Sequence, residues 1–251
     1  MEEILREYRD SDYVQCEELV NQAWGFDKIF APEELVNLAK CMYTRSSVLG
    51  SNYKMVVEVN GKVAGFIFGL NECATKPGLN ILYRLNMLWK LLRVKSEKPK
   101  NKDDFINAIK DHENNRTKLV RRGKSEINLF VVSKEFQGKG FGKKLWSGFL
   151  ADCKDSDVES IIVETNKLGA SGFYEQVGFK HLGDFYSPLH EFATKGGQAC
   201  MYKYICKENL KRQIHSDSQK RRFAPFYLLV ICSVSCLMKS YDALKDEQSG
   251  G

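Results

Sequence analysis

Apolar and polar residues alternate loosely over residues 3 to 9, the pattern of an edge strand, and Ser11 or Asp12 then stands where a helix cap belongs. The helix that follows is expected to carry Val14, Leu19, Val20 and Ala23 on one side and to end at Trp24 and Gly25. A second helix starts near Pro32, a good first-turn residue, and runs through Leu35, Val36, Leu38 and Ala39. Two runs, YKMVVEV and KVAGFIFGL, flank Asn60-Gly61, the strongest two-residue hairpin signal. They predict a pair of antiparallel strands.

Residues 71–124 break the strand pattern with two helical segments, one carrying Leu79, Leu82, Leu85, Trp89 and Leu92, the other Phe105, Ile106 and Ile109. The stretch is basic, from Lys90 and Arg93 to Arg116, Lys118, Arg121, Arg122 and Lys124. It reads as an insertion with a solvated charged face. EINLFVV then predicts a strand buried on both faces. A glycine turn follows it, and then a helix with Leu145, Trp146, Phe149, Leu150 and Cys153 at helical spacing. VESIIVETN is a further buried strand, GASGFYEQV a short helix, and FKHLGDFYS with QACMYKYIC a closing strand pair. The expected architecture is a mixed α/β domain over residues 1–206, with a helical insertion between its third and fourth strands.

Beyond it, residues 207–222 form a polar, basic linker and residues 223–251 an apolar segment with a polar end. The apolar run Phe223 to Met238 is short for a membrane span, because a bilayer core of about 30 Å needs ~20 helical residues. Docking on the domain, membrane association through 220–238, and a partner-binding helix all remain open for it.

The formal net charge is +6, from 38 Lys and Arg against 32 Asp and Glu, which suits a polyanionic ligand but is too mild to imply nucleic acid. Eight cysteines lie scattered with no C-x-x-C pair and no histidine at zinc-finger spacing, so they read as reduced core thiols. The first ten residues are acidic where a secretion signal is basic, and the expected location is cytoplasmic.

The turn QGKGFGKK, residues 137 to 144, is the main chemical signal. It is no Walker A loop, because Gln137 replaces the first glycine and Lys144 stands where the magnesium-binding hydroxyl belongs. It is no dinucleotide fingerprint either: Gly138, Gly140 and Gly142 are spaced G-x-G-x-G, with Lys143 at the site of the third glycine. What remains is Q-x-x-G-x-G between a buried strand and a helix. Successive backbone N–H groups at such a helix start face an anion, and a pyrophosphate fits.

On this motif the chain resembles the GNAT superfamily of acetyl-coenzyme A-dependent N-acetyltransferases. LFVVSKEFQGKGFGKKL matches that family's strand, pyrophosphate loop and helix in order and spacing, and Phe173, Tyr174, Glu175, Gln176, Val177, Gly178 and Phe179 match its later aromatic-Tyr and Gly-Phe signature. The resemblance implies the GNAT acyltransferase fold and acetyl-CoA as cosubstrate. It implies cofactor contacts from Gln137, Gly138, Lys139, Gly140, Phe141, Gly142 and Lys143, and from the backbone of Phe130, Val131 and Val132. Lys139 and Lys143 either face the phosphates or are solvated. Family members often place a cofactor-binding Asn seven residues before the helix Tyr. Here that position is Lys167, and a one-residue shift brings Asn166 to the role.

The resemblance also implies catalytic roles. Tyr174 corresponds to the acid that protonates the leaving thiolate. Glu126 has the position of the glutamate base in the histone acetyltransferase branch, with Glu164 on the next strand as its rival. An alkyl amine with a pKa of about 10.4 is almost wholly protonated at pH 7, so a base is needed. The residues around 24–32, with Trp24, Phe26 and Phe30, and around 186–198, with Pro188, His190 and Phe192, are the expected acceptor loops. His112, His181 and His190 show no metal-ligand spacing, so no metal is expected.

The expected function is transfer of acetyl from acetyl-CoA to an amine by direct attack in a ternary complex. A small-molecule amine is expected over a protein acceptor, without nucleic acid, and a homodimer is left open. The competing reading is a non-catalytic acyl-CoA-binding sensor or a membrane-tethered interaction protein.

Overall fold

The computed structural model describes residues 2–29, 33–75, 77, 81–93, 99–120, 124–166, 169–194 and 197–207. Seven strands form one sheet in the order β1-β2-β3-β4-β5-β7-β6: β1 Glu3–Glu7, β2 Tyr53–Val59, β3 Lys62–Leu70, β4 Ser125–Val132, β5 Ser160–Asn166, β6 Lys180–Tyr186 and β7 Gln198–Ile205. Neighbours are antiparallel except β4 and β5, which are parallel and joined through a crossover helix. The helices are α1 Tyr13–Trp24, α2 Phe26–Ile29, α3 Glu33–Gly50, α4 Ile81–Arg93, α5 Pro99–Leu119, α6 Phe141–Asp155, α7 Ser171–Gln176 and α8 Pro188–Thr194.

The expected hairpin is present. Asn60 and Gly61 both have positive φ, +49° and +79°, as a turn matching the twist of β2 and β3 requires. Gly25 ends α1 in the left-handed conformation, its N–H donating to the Asn21 carbonyl at 2.6 Å.

Two apolar layers cover the sheet. On one face Cys16 and Leu19 of α1, Leu35 and Leu38 of α3, Met87 of α4 and Ile106 of α5 pack on Phe66, Phe68, Leu129 and Val131. On the other, Leu145, Trp146 and Phe149 of α6 and Tyr174 of α7 pack on Ile67, Ile127, Ile161 and Val163. A smaller group, Val120, Ile162, Phe185, Ala199 and Met201, continues the core toward β6.

The structure corrects several expected faces. Val14 and Ala23 of α1 are exposed, and Cys16, Leu19 and Val20 are the buried residues. At 100° per residue, Val14 lies nearly opposite Cys16. In α4 the spacing is helical, but Leu82, Leu85 and Trp89 face outward and Tyr83 and Met87 face the core. Both sides of that helix carry apolar residues, so period alone selects neither. The Arg93 guanidinium sits 3.1 Å above the Trp89 ring. The basic insertion is not uniformly solvated either, because Arg116 in the last turn of α5 is only 2% exposed. Of the cysteines, Cys16, Cys153 and Cys200 are buried, while Cys73 is exposed. Among the described residues no helix is long and apolar enough to cross a membrane. The apolar run 223–238 lies outside them, as do Phe30, Pro32 and Lys167.

Candidate active site

Strands β4 and β5 are paired over three residues only, Ser125 with Ile161, Glu126 with Ile162 and Ile127 with Val163. At the same level β4 carries a bulge. Ile127 faces Gly69 and Leu129 faces Phe68, so Asn128 is an extra residue. Its side chain donates to the Gly50 carbonyl at 3.1 Å and the Ser51 hydroxyl at 2.8 Å. The bulge restarts the inside-outside alternation, which puts Glu126, Leu129 and Val131 on one face and Ile127 and Phe130 on the other. Past this point β4 bonds only to β3: Phe130, Val131 and Val132 face Ile67, Phe66 and Gly65, and β5 offers them no partner among the described residues. Their other side borders a wedge that opens between two central strands.

The glycine turn stands at the wide end of the wedge. Gln137 Nε2 donates to the Val132 carbonyl at 3.1 Å, tying the turn to the strand end. Gly138 and Gly140 have φ of +77° and +87°, and a Cβ on either would meet nothing within 4 Å. Backbone approach by a ligand is therefore unobstructed there. Gly140 caps the fifteen-residue α6, whose first N–H groups have no partner within the helix. Gly142 also bears on packing. A Cβ there would come to 3.2 Å from the Phe173 ring, so its absence lets α6 lie close to α7. Phe141 is buried and anchors the turn against Phe136, ring centres 5.9 Å apart. Lys139 Nζ lies 4.7 Å over the Phe136 ring, and Lys143 is exposed. This open, amide-rich cradle with cationic neighbours fits a pyrophosphate, and the unpaired edge of β4 fits an extended amide-bearing arm such as that of coenzyme A.

At the closed end of the wedge lies a buried polar cluster that was only partly legible in the sequence. Glu126, 6% exposed, is no solvated strand start. Arg116 of α5 bridges the two carboxylates, Nη2 to Glu126 Oε1 at 2.5 Å and Nε to Glu164 Oε2 at 3.1 Å. His190 of α8 reaches Glu164 Oε1 at 3.0 Å through Nε2, and His112 of α5 brings Nε2 to 3.5 Å of Glu164 Oε2. His112 Nδ1 is 2.8 Å from the Ser187 hydroxyl. The carboxylates differ as a result. Burial raises the Glu126 pKa, with Arg116 opposing it and Glu164 adding to it. Burial alone would raise Glu164 too, but His112, His190 and Arg116 outweigh it and hold that group down to about 2. Glu126 is thus the carboxylate that holds a proton more readily, and Glu164 stays ionised.

Tyr174 is 4% exposed and packs among Phe173, Phe179 and Tyr202. Burial raises its pKa, so it is protonated at neutral pH. Phe173 beside it meets Phe130 with ring centres 5.5 Å apart, which sets α7 against β4 across the wedge. Asn166 ends β5, and its buried Oδ1 accepts no hydrogen bond among the described residues.

Trp24 and Phe26 converge on Tyr43 of α3 at 5.5 and 5.6 Å. Tyr43 and His112 had no sequence signal beyond helical spacing, and Arg116 was hidden in a basic run. On the edge pair β6–β7, His181, Asp184 and Cys200 bring donor atoms within 4.8 Å of one another, with His181 Nε2 already 2.5 Å from Asp184 Oδ1.

Residues 116–187 match the family model described as the acetyltransferase (GNAT) domain. A Pyrococcus horikoshii OT3 protein of known structure is 17% identical, with a TM-score of 0.50 over 81% of this chain and 98% of its own. A putative acetyltransferase of Salmonella typhimurium, solved with acetyl-CoA, is 14% identical, with a TM-score of 0.46 over 83% of this chain and 96% of its own. The ribosomal-protein-S18-alanine N-acetyltransferase of Escherichia coli is 13% identical, with a TM-score of 0.45 over 84% of this chain and 100% of its own. No curated protein matches the sequence. That domain match spans the wedge, the glycine turn and α7, so the part of the chain from the last turn of α5 to the start of α8 is similar to the acetyltransferase (GNAT) domain.

Proposed function

We propose that residues 1–206 transfer the acetyl group of acetyl-CoA directly to a small-molecule amine, both substrates being bound together. The observation that carries this reading is the wedge between β4 and β5, with amide donors at its open end and a titratable buried carboxylate at its closed end. Bound acetyl-CoA supplies a thioester electrophile. Gly138, Gly140 and the first turn of α6 would hold its diphosphate, and the free edge of Phe130, Val131 and Val132 its arm.

In this reading Glu126 takes a proton from the acceptor ammonium and frees the nitrogen lone pair for attack on the acetyl carbon. As the C–N bond forms and the C–S bond breaks, the sulfur leaves as a thiolate. Tyr174 donates a hydrogen bond, and finally a proton, to that sulfur. Burial raises its pKa and keeps the hydroxyl protonated, so it is available as a donor when charge develops on sulfur. As the adduct collapses, the second proton leaves the nitrogen and restores the Tyr174 hydroxyl through solvent, Glu126 releases its own proton to bulk water, and the products are an amide, the free thiol and one proton.

The preference for a small amine rests on how the acceptor end is covered. Helix α8, in the β6–β7 connection, packs on α2 and on α5. His190 of α8 bonds Glu164, and Tyr43, against which Trp24 and Phe26 pack, feels that carboxylate's charge; this covering supports a compact cation over an extended chain. Thiol release from acetyl-CoA, measured with ethanolamine, tyramine, spermidine and a short peptide as acceptors, tests it. Turnover on small amines above the peptide supports the proposal. Coenzyme A binding with no turnover on any of them supports the sensor instead.

A further inference from the structure

The last turn of α5 belongs to the inserted segment between β3 and β4, yet it delivers the guanidinium that touches both carboxylates. Glu126 receives Arg116 on Oε1 and, among the described residues, accepts no hydrogen bond on Oε2. Glu164 is saturated by Arg116, His190 and His112. The groups facing Glu126 are therefore Arg116 with His112 one turn behind it on α5, Glu164 on β5, and through Glu164 the rings of His190 on α8 and Tyr43 on α3.

We propose that Arg116 is a positioning residue that holds Glu126 ionised with Oε2 turned to the acceptor, and that Glu164 sets how strongly it does so by sharing the same guanidinium. The inserted helix is then a working wall of the active site. This rests on reading Glu126 as the base.

The electrostatics require both carboxylates. Buried alone, Glu126 would keep its proton and could take none from an amine. Paired alone with Arg116, it would lose the proton so readily that it would be a poor base. A second carboxylate on the same fork takes part of the positive field, and Glu126 is left between the extremes. The planar guanidinium reaches the two carboxylates from two different nitrogens, Nε and Nη2, in a fixed fork, whereas the three N–H groups of a lysine ammonium radiate from one nitrogen.

The test is a carbon-13 NMR titration of the glutamate carboxyls in the full chain, with the Glu126 signal assigned by its loss in Glu126→Gln. Arg116→Met should raise the Glu126 midpoint by about one to three pH units. Arg116→Lys should raise it less, and Glu164→Gln should lower it. Turnover of the best amine from the acceptor panel should follow, with Arg116→Met regaining activity as pH rises, a recovery that a purely structural defect would not give. Where Arg116→Met does not fold, the opposite signs of Arg116→Lys and Glu164→Gln carry the test. Midpoints equal to the parent's in those two variants overturn the proposal. If Glu126→Gln keeps full turnover, the base assignment falls instead, whatever the titrations give.

Discussion

Ile127 and Val163 are the last residues to face each other across β4 and β5 before the two strands part. The residue after Ile127, Asn128, is bulged and pinned by the Gly50 carbonyl and the Ser51 hydroxyl. The irregularity thus sits where the β4–β5 pairing ends, between Glu126, which meets the inserted helix, and the backbone of residues 130–132. Asn128→Ala should therefore affect more than stability. We expect a loss of about 1–2 kcal/mol from its hydrogen bonds, read by urea unfolding, with a several-fold weaker coenzyme A affinity by calorimetry. A stability loss with unchanged affinity would separate the bulge from the cofactor edge.

Gly140 has φ +87° with open space around its missing side chain. A valine there meets two penalties, left-handed strain of about 1–2 kcal/mol and a side chain standing where the diphosphate would approach. Asparagine tolerates the backbone far better and adds similar bulk. Gly140→Val and Gly140→Asn should both weaken coenzyme A binding at least tenfold, and only the valine should lower Tm markedly. Equal affinities for both variants and the parent would mean that the turn does not hold the diphosphate.

Tyr174→Phe removes one hydroxyl from a packed aromatic group and leaves the ring contacts with Phe173 and Phe179 intact. Its Tm should stay near the parent's. If the hydroxyl protonates the leaving sulfur, kcat should fall about a hundredfold with the coenzyme A dissociation constant unchanged. A parent-like kcat would return Tyr174 to the core.

Much of this arrangement could be read from the sequence because it depends on local chemistry. The Asn60-Gly61 turn, the glycine spacing at 138–142 and the helical period of Leu145, Trp146 and Phe149 are set by backbone sterics within a few residues. What could not be read depends on tertiary contact. The bulge at Asn128 appears only when β3 pairs with β4. Leu82 and Tyr83 are both apolar, and only packing decides that Tyr83 turns inward. Arg116 looks like any residue of a basic run until α5 lies over β4 and β5, and α8 was hidden because Pro188–Thr194 is short and sits in a loop.

Glu164 links the site to stability. Its pKa falls from 4.5 to about 2 on folding, so it binds protons less tightly in the native state than in the unfolded one. A carboxylate shifted this way contributes its full stabilisation above pH 4.5, and loses it as pH falls through about 2. At pH 7 that linkage is worth on the order of 3 kcal/mol. Glu164→Gln should cost about that much in urea unfolding at pH 7, and its difference from the parent should narrow steadily between pH 4.5 and 2. A gap independent of pH over that range would mean that Arg116 and the two histidines do not hold the carboxylate.

Gly65 tests how far the cofactor edge depends on the strand behind it. A Cβ at this position would stand 2.9 Å from the Val131 carbonyl oxygen and 3.2 Å from Val132 Cα. Both are backbone atoms of β4, so no side chain can swing away, and the strand itself has to shift. Overpacking of this kind costs about 1–3 kcal/mol. The displaced atoms belong to the segment whose other edge faces the wedge, so Gly65→Ala should lower Tm and coenzyme A affinity together. Gly172 is the control, because a Cβ there meets nothing within 4 Å and Gly172→Ala should leave Tm at or above the parent's. A Gly65→Ala protein that loses stability but binds coenzyme A like the parent would show that the wedge tolerates movement of its own wall.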